Sequence, residues 1–87
     1  MQLTKFTHAC VRLDDGDRSL VIDPGVFSEV EAAVDGAKAI LITHEHPDHL
    51  DVEKVRGALA RDSRLRLYAP HSVAATFDDL VAQAIAV

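Results

Sequence analysis

The sequence predicts an α/β fold, a β-sheet with helices on at least one face, and three observations carry that expectation. Strand-length apolar or alternating runs take turns with stretches whose apolar residues recur at helical spacing. Turn residues punctuate the chain between them, as Asp15-Gly16 and Asp23-Pro24-Gly25 do. One run, Ala39-Ile40-Leu41-Ile42, is apolar throughout, which suits a strand in the interior of a sheet.

The elements follow in order. Ala9, Val11 and Leu13 alternate with His8, Cys10 and Arg12, the two-residue period of a strand that buries one face. Asp14-Asp15-Gly16-Asp17 predicts a hairpin, and Ser19 to Asp23 the returning strand. Asp23-Pro24-Gly25 stops that strand, because proline lacks a ladder donor and glycine permits backbone angles that other residues avoid. Ser28 and Glu31 have the S-x-x-E spacing of a capping box, so a short helix is expected from Glu29 to near Gly36. The apolar strand Ala39 to Ile42 then delivers a polar stretch, Thr43 to Asp51. Asp51 suits the N-cap of a helix with Val52, Val55 and Leu59 along one side, ending near Asp62. Leu65 to Ala69 reads as a strand. Ser72 is expected to cap a last helix with Val73, Phe77, Leu80 and Val81 inward, and Ala84 to Val87 begins a further strand. The order is two or three strands, then helix, strand, helix, strand, helix.

No repeat, low-complexity tract or Pro/Gly/Ser-rich linker divides the 87 residues, so residues 1–87 read as one unit. A chain of that length buries only about 60–65% of its unfolded surface, so its core is modest. Hydrophobic residues at 48% and charged residues at 26% exclude a disordered or collagen-like chain. The formal net charge of −5 is spread along the chain, which argues against nucleic acid or an anionic membrane as partner. The single cysteine, Cys10, cannot form an internal disulfide and reads as a small buried filler. The opening MQLTKFT lacks the apolar stretch of a signal peptide or membrane span, so a cytoplasmic location is expected. Arg61-Asp62-Ser63-Arg64 with Arg66 reads as a solvated helix end and edge strand, and His71 as a loop residue beside a helix start.

The chemistry concentrates in THEHPDHLD, Thr43 to Asp51, which holds three of the five histidines. Neutral imidazole nitrogens and carboxylate oxygens are the donors that Zn²⁺, Mn²⁺ and Fe accept. His44 and His46, two apart at a strand end, are placed to share one ion. Asp48 and His49, beyond the bend at Pro47, more easily reach a second alongside. Such a pair, roughly 3.5–4 Å apart, lowers the pKa of a bridging water and clamps attacking and leaving oxygens. Asp23 supports the site or merely makes the turn, and His8 is a strand residue at the rim or faces substrate.

His44, His46, Asp48 and His49 meet the H-x-H-x-D-H signature in full, and on these residues the sequence resembles the metallo-β-lactamase superfamily. Val21-Ile22-Asp23-Pro24-Gly25 resembles that family's strand-ending turn, and Thr7-His8-Ala9 an element of its lactonase-like branch. The resemblance runs over essentially the whole chain. It implies the N-terminal half of an αββα sandwich, a mixed β-sheet with helices on one face. It also implies His44 and His46 on one metal, Asp48 and His49 on the other, and Asp23 in support. The implied activity is metal-dependent hydrolysis, with zinc, Mn²⁺ or Fe activating a hydroxide that attacks a small-molecule ester, lactone, amide or phosphoester. Asp48 would orient that hydroxide and carry its proton. Members draw further ligands from their second half, and neither His8 nor His71 matches a ligand position of the family. The chain is therefore expected to be a half with an incomplete metal site, its open sheet face paired with a second copy or a complementary half. The alternative is a non-catalytic, self-associating half-domain that binds metal weakly.

Overall fold

The computed structural model describes all residues, Met1–Val87. Six strands form one mixed sheet in the order of the sequence: β1 (Gln2–Lys5), β2 (Val11–Asp15), β3 (Arg18–Ile22), β4 (Ala39–Leu41), β5 (Arg66–Ala69) and β6 (Ala84–Ala86). β1, β2 and β3 pair antiparallel, whereas β3 to β6 run parallel. Helix α1 (Val30–Val34) connects β3 to β4, α2 (Val52–Arg61) connects β4 to β5, and α3 (His71–Thr76) with a 3₁₀ turn (Asp78–Leu80) connects β5 to β6. The α/β expectation is met. The opening strand β1 is an element that the sequence did not specify, since its four residues carry no apolar period.

Alternation along the strands gives the sheet two unlike faces. Val21, Ile40 and Leu67 lie side by side on one face and are fully buried. Against them pack Val30, Ala33 and Val34 of α1, Val55, Ala58 and Leu59 of α2, and Val73 with Phe77 at the end of α3. The opposite face has no helix. Val11, Ile22, Leu41 and Tyr68 form one cross-strand row there and Leu13, Leu20 and Ala39 another, all of them half-buried. Val11 and Leu13, expected to face inward, thus lie on the open face. Cys10 is the fully buried residue, and Arg12 on the helix side donates to the carbonyls of Ala33 and Asp35 at the end of α1. A long side chain that caps a helix keeps its place on the inner face although its head is charged.

The expected boundaries hold where local chemistry decides them. The hairpin closes through Gly16 and Asp17, with Gly16 at φ 65 in the first loop position, where a II′ turn needs glycine. Gly36 at φ 70 ends α1, and the Asp51 carboxylate accepts from the Lys54 amide at the start of α2. Other caps fail. Ser28 does not cap α1, because its hydroxyl donates to the Thr7 carbonyl at 2.6 Å. Pro70, not Ser72, precedes the first turn of α3. Val52 and Val81 are exposed, so Ala58 takes the third inward position of α2, and the 3₁₀ turn after Phe77 rotates Val81 out to solvent. Gln83 is buried, and its amide donates to the carbonyls of Leu59 and Asp62 at the end of α2 and of Leu65 just before β5. No helix is long and apolar enough to cross a membrane.

Candidate functional site

Three loops meet at one end of the sheet. β3 and β4 are parallel and both end there, and β2, antiparallel to β3, begins there. The loops are Phe6 to Cys10, Asp23 to Glu29, and Ile42 to Asp51. The second and third are joined by backbone bonds, from Val26 N to Pro47 O and from Asp51 N to Pro24 O, both 2.9 Å.

Gly25 permits that closeness. A Cβ at this position would lie 2.0 Å from the Asp48 carbonyl oxygen and 2.7 Å from the His49 amide nitrogen. Its conformation is not left-handed; the residue of this turn with positive φ is Asp23, at 52. Glycine is therefore needed here for space, and the unusual backbone angle belongs to its neighbour.

Asp23 is the organising side chain, only 4% exposed. Its Oδ1 accepts from the Thr43 amide at 2.7 Å, and its Oδ2 from the Thr43 hydroxyl at 2.6 Å. Oδ2 also lies 2.9 Å from His49 Nδ1. With its hydrogen given to Asp23, the Thr43 oxygen accepts from His44 Nδ1 at 3.0 Å. One carboxylate thus fixes the hydrogen of two imidazoles on Nδ1, leaving each Nε2 as a free acceptor. The His44 and His49 rings lie with centroids 3.9 Å apart, and His46 meets His44 edge-on at 4.8 Å.

Among these side chains one group of three offers its ligand atoms close together. His8, Asp48 and His49 offer three donor atoms within 4.8 Å of one another. Asp48 Oδ2 is 2.9 Å from His8 Nε2 and 3.5 Å from His49 Nε2. His44 and His46 are neighbours of this trio and not part of it, and His71, the exposed first residue of α3, is not part of it either. The hydrogen bond from His8 holds the Asp48 carboxyl below the usual carboxylate range. Burial pushes the Cys10 thiol up to about 11, so it remains a neutral filler.

His8 is held where it stands. It has φ 64, and the Lys5 ammonium donates to the carbonyls of Phe6 and His8. The Thr7 amide and hydroxyl donate to the two Glu29 oxygens at 3.0 and 2.8 Å. Sequence reasoning missed Glu29 and Thr43 as supports. For Thr43 there was a signal, a hydroxyl placed between a buried strand and the first histidine; for Glu29, 22 residues from Thr7, there was none. Val26 and Phe27 are exposed beside the cluster, with the Phe27 ring 5.5 Å from that of His8.

A mixed sheet that gathers histidines and aspartates beyond its strand ends is the arrangement of metallo-β-lactamase-like proteins. The chain belongs to that superfamily: the family model described as "Beta-lactamase superfamily domain" matches residues 2–86. It is 44% identical over 75 residues to Protein Rv0786c of Mycobacterium tuberculosis, covering 86% of this chain and 35% of that protein. It is 34% identical over 90 residues to a UPF0173 metal-dependent hydrolase of Aeropyrum pernix, covering 98% of this chain and 34% of the relative. A protein of the same description from Xanthobacter autotrophicus is 43% identical over 56 residues, 58% of this chain and 23% of its own length. The chain spans about a third or less of the length of these relatives.

Proposed function

We propose that these 87 residues, as one unit, form the N-terminal part of a metal-dependent hydrolase centre, with zinc as its ion. The observation that carries this is the Asp23 relay, which leaves His44 and His49 with free Nε2 acceptors, that of His49 lying 3.5 Å from the Asp48 carboxylate. A buried carboxylate behind an imidazole that faces outward is the support that metal-bound histidines use. The donor set of imidazole and carboxylate fits Zn²⁺, and Mn²⁺ or Fe by the same chemistry. His44 and His46 would hold one ion, and Asp48 with His49 a second. When bound, such ions lower the pKa of water toward neutrality and polarise a substrate oxygen.

The chain's own residues do the rest. Asp23 and Thr43 set the tautomers, and Gly25 lets the loops close. Asp48 orients the attacking water and takes its proton, and Val26 with Phe27 presents an apolar lip to a small-molecule ester, lactone, amide or phosphoester. Further ligands would come from a complementary part of the fold, and a cytoplasmic setting suits the lone buried thiol. Equilibrium dialysis against Zn²⁺ followed by metal analysis tests the reading on the chain itself. Bound zinc, reduced in Asp48→Ala, is expected, together with loss of turnover when the same change is made in the protein carrying the whole fold. Chains that hold no zinc, or an Asp48→Ala variant with full activity, would refute it.

The open apolar sheet face favours a second reading, a self-associating half-domain without turnover, in which two copies pair sheet to sheet. Well over one ion per chain supports the hydrolase reading, and almost none supports the module.

A further inference from the structure

We propose that His8 is a third protein ligand, through Nε2, to the divalent ion held by Asp48 and His49. This rests on the metal-centre reading above and goes beyond it, because it makes this end of the sheet a three-donor site without help from any other part of the fold. Three protein donors with one position left for water or substrate is the usual make-up of a catalytic zinc site.

The distances carry the assignment. Donors around a tetrahedral ion with bonds of about 2.0–2.2 Å stand roughly 3.3–3.6 Å apart. Asp48 Oδ2 sits 3.5 Å from His49 Nε2 and 2.9 Å from His8 Nε2, so the carboxylate lies between two imidazole nitrogens at nearly that spacing. Each of the three residues offers a ligand atom within 4.8 Å of those of the other two. The two nitrogens come from different directions, with ring planes at 72° and centroids 6.1 Å apart. Two donors of one tetrahedron can be so oriented.

The His8 loop is also built to hold an imidazole in this place. A non-glycine residue at φ 64 is kept there by its surroundings. Lys5 ties down the carbonyls of Phe6 and His8, Glu29 takes both donors of Thr7, and Ser28 takes the Thr7 carbonyl. Phe27 stands edge-on to the ring from outside. Without metal, His8 Nε2–H donates to Asp48. Ligation requires that Nε2 give up its hydrogen and Nδ1 carry the one the ring keeps, so that the lone pair of Nε2 turns to the ion.

A mere hydrogen-bonding role for His8 is the competing explanation, and glutamine separates the two, since it keeps an N–H donor but is a poor ligand. Zn²⁺ affinity of the chain and of His8→Gln is measured by competition with a chromophoric chelator, with metal-free thermal unfolding as the check on folding. The expected result is a loss on the order of 100-fold in affinity. On the unaltered chain, ¹⁵N-labelled at histidine and loaded with ¹¹³Cd²⁺, a one-bond cadmium coupling to His8 Nε2 is expected. Equal affinity in His8→Gln, or coupling to other histidines only, would overturn the assignment while leaving the metal centre standing. No binding of either ion by the unaltered chain would overturn both.

Discussion

Two glycines show how much one absent methyl group can decide. At Gly25 a Cβ would fall 2.0 Å from the Asp48 carbonyl oxygen and 2.2 Å from its carbonyl carbon, so backbone must move and the two site loops must part. Gly25→Ala is expected to cost about 3 kcal/mol or more, at the top of the range for overpacking, and to abolish zinc binding by displacing Asp48 and His49. At Gly57, inside α2, the nearest atom to a new Cβ is the end of the mobile Arg61 side chain, 3.3 Å away. Gly57→Ala should therefore stabilise the chain by up to about 1 kcal/mol, since alanine loses less backbone freedom in a helix. Urea unfolding of both variants checks the pair. A Gly25→Ala chain with an unchanged midpoint would contradict the loop packing described above. The sequence could announce that a glycine follows Asp23-Pro24, but the reason lies in Asp48, which only the folded chain brings against it.

Elements are joined by bonds between residues far apart in the chain, and these are where reading by pattern ran out. Asp51, Gly36 and the Asp15-Gly16 pair act on neighbours a few residues away, so their caps and turns were legible. Ser28 with Glu31 had the spacing of a capping box, yet Ser28 serves Thr7 and Glu31 pairs with Lys54 of α2 at 3.3 Å. Tertiary partners outbid a local motif. The H-x-H-x-D-H residues stand out in the sequence as candidates, whereas the meeting of His8 with Asp48, 40 residues on, does not. Arg56 makes a comparable long-range tie. It donates from Nη1 to both oxygens of Asp79 at 2.7 Å and from Nη2 to the Thr76 carbonyl, so α2 is clamped to the turn that follows α3. The guanidinium holds the Asp79 carboxyl below its ordinary 3.8. A carboxyl depressed on folding contributes stability above its unfolded value, and loses it as pH falls through the folded one. Asp79→Asn should thus lower the unfolding temperature at pH 7, with the deficit shrinking below about pH 3.8. Thermal scans between pH 7 and pH 2.5 follow it, and a deficit that stays constant with acid would remove the ion pair as its cause.

On the scale of the molecule, the sheet is finished on one side only. The helix side holds the continuous core from Cys10 to Phe77. On the other, Val11, Ile22, Leu41 and Tyr68 lie in one row beside Leu13, Leu20 and Ala39. Leu3 and Ile85 extend the rows at the two edges, 64% and 37% exposed. A contiguous apolar surface of this kind seeks cover, and nothing in its charge opposes a second copy: Lys5 lies at the end of one row and Arg66 at the end of the other. A sheet-to-sheet pair would set each row against its own image across a two-fold axis, as an isologous interface does. The site would be left outside it, because the loops bearing His8, Asp23 and Asp48 project from the strand ends and not from the face. Ile22→Lys combined with Leu41→Glu places opposite charges side by side within one sheet and removes the apolar centre of the row. Sedimentation should find the unaltered chain as a dimer and the double variant as a monomer. Zinc affinity is expected to stay within about threefold, since both side chains lie on the open face while the donors stand on loops beyond the strand ends. A strict monomer at high concentration before any change is made would end the pairing, and would leave the face to a complementary segment of the fold.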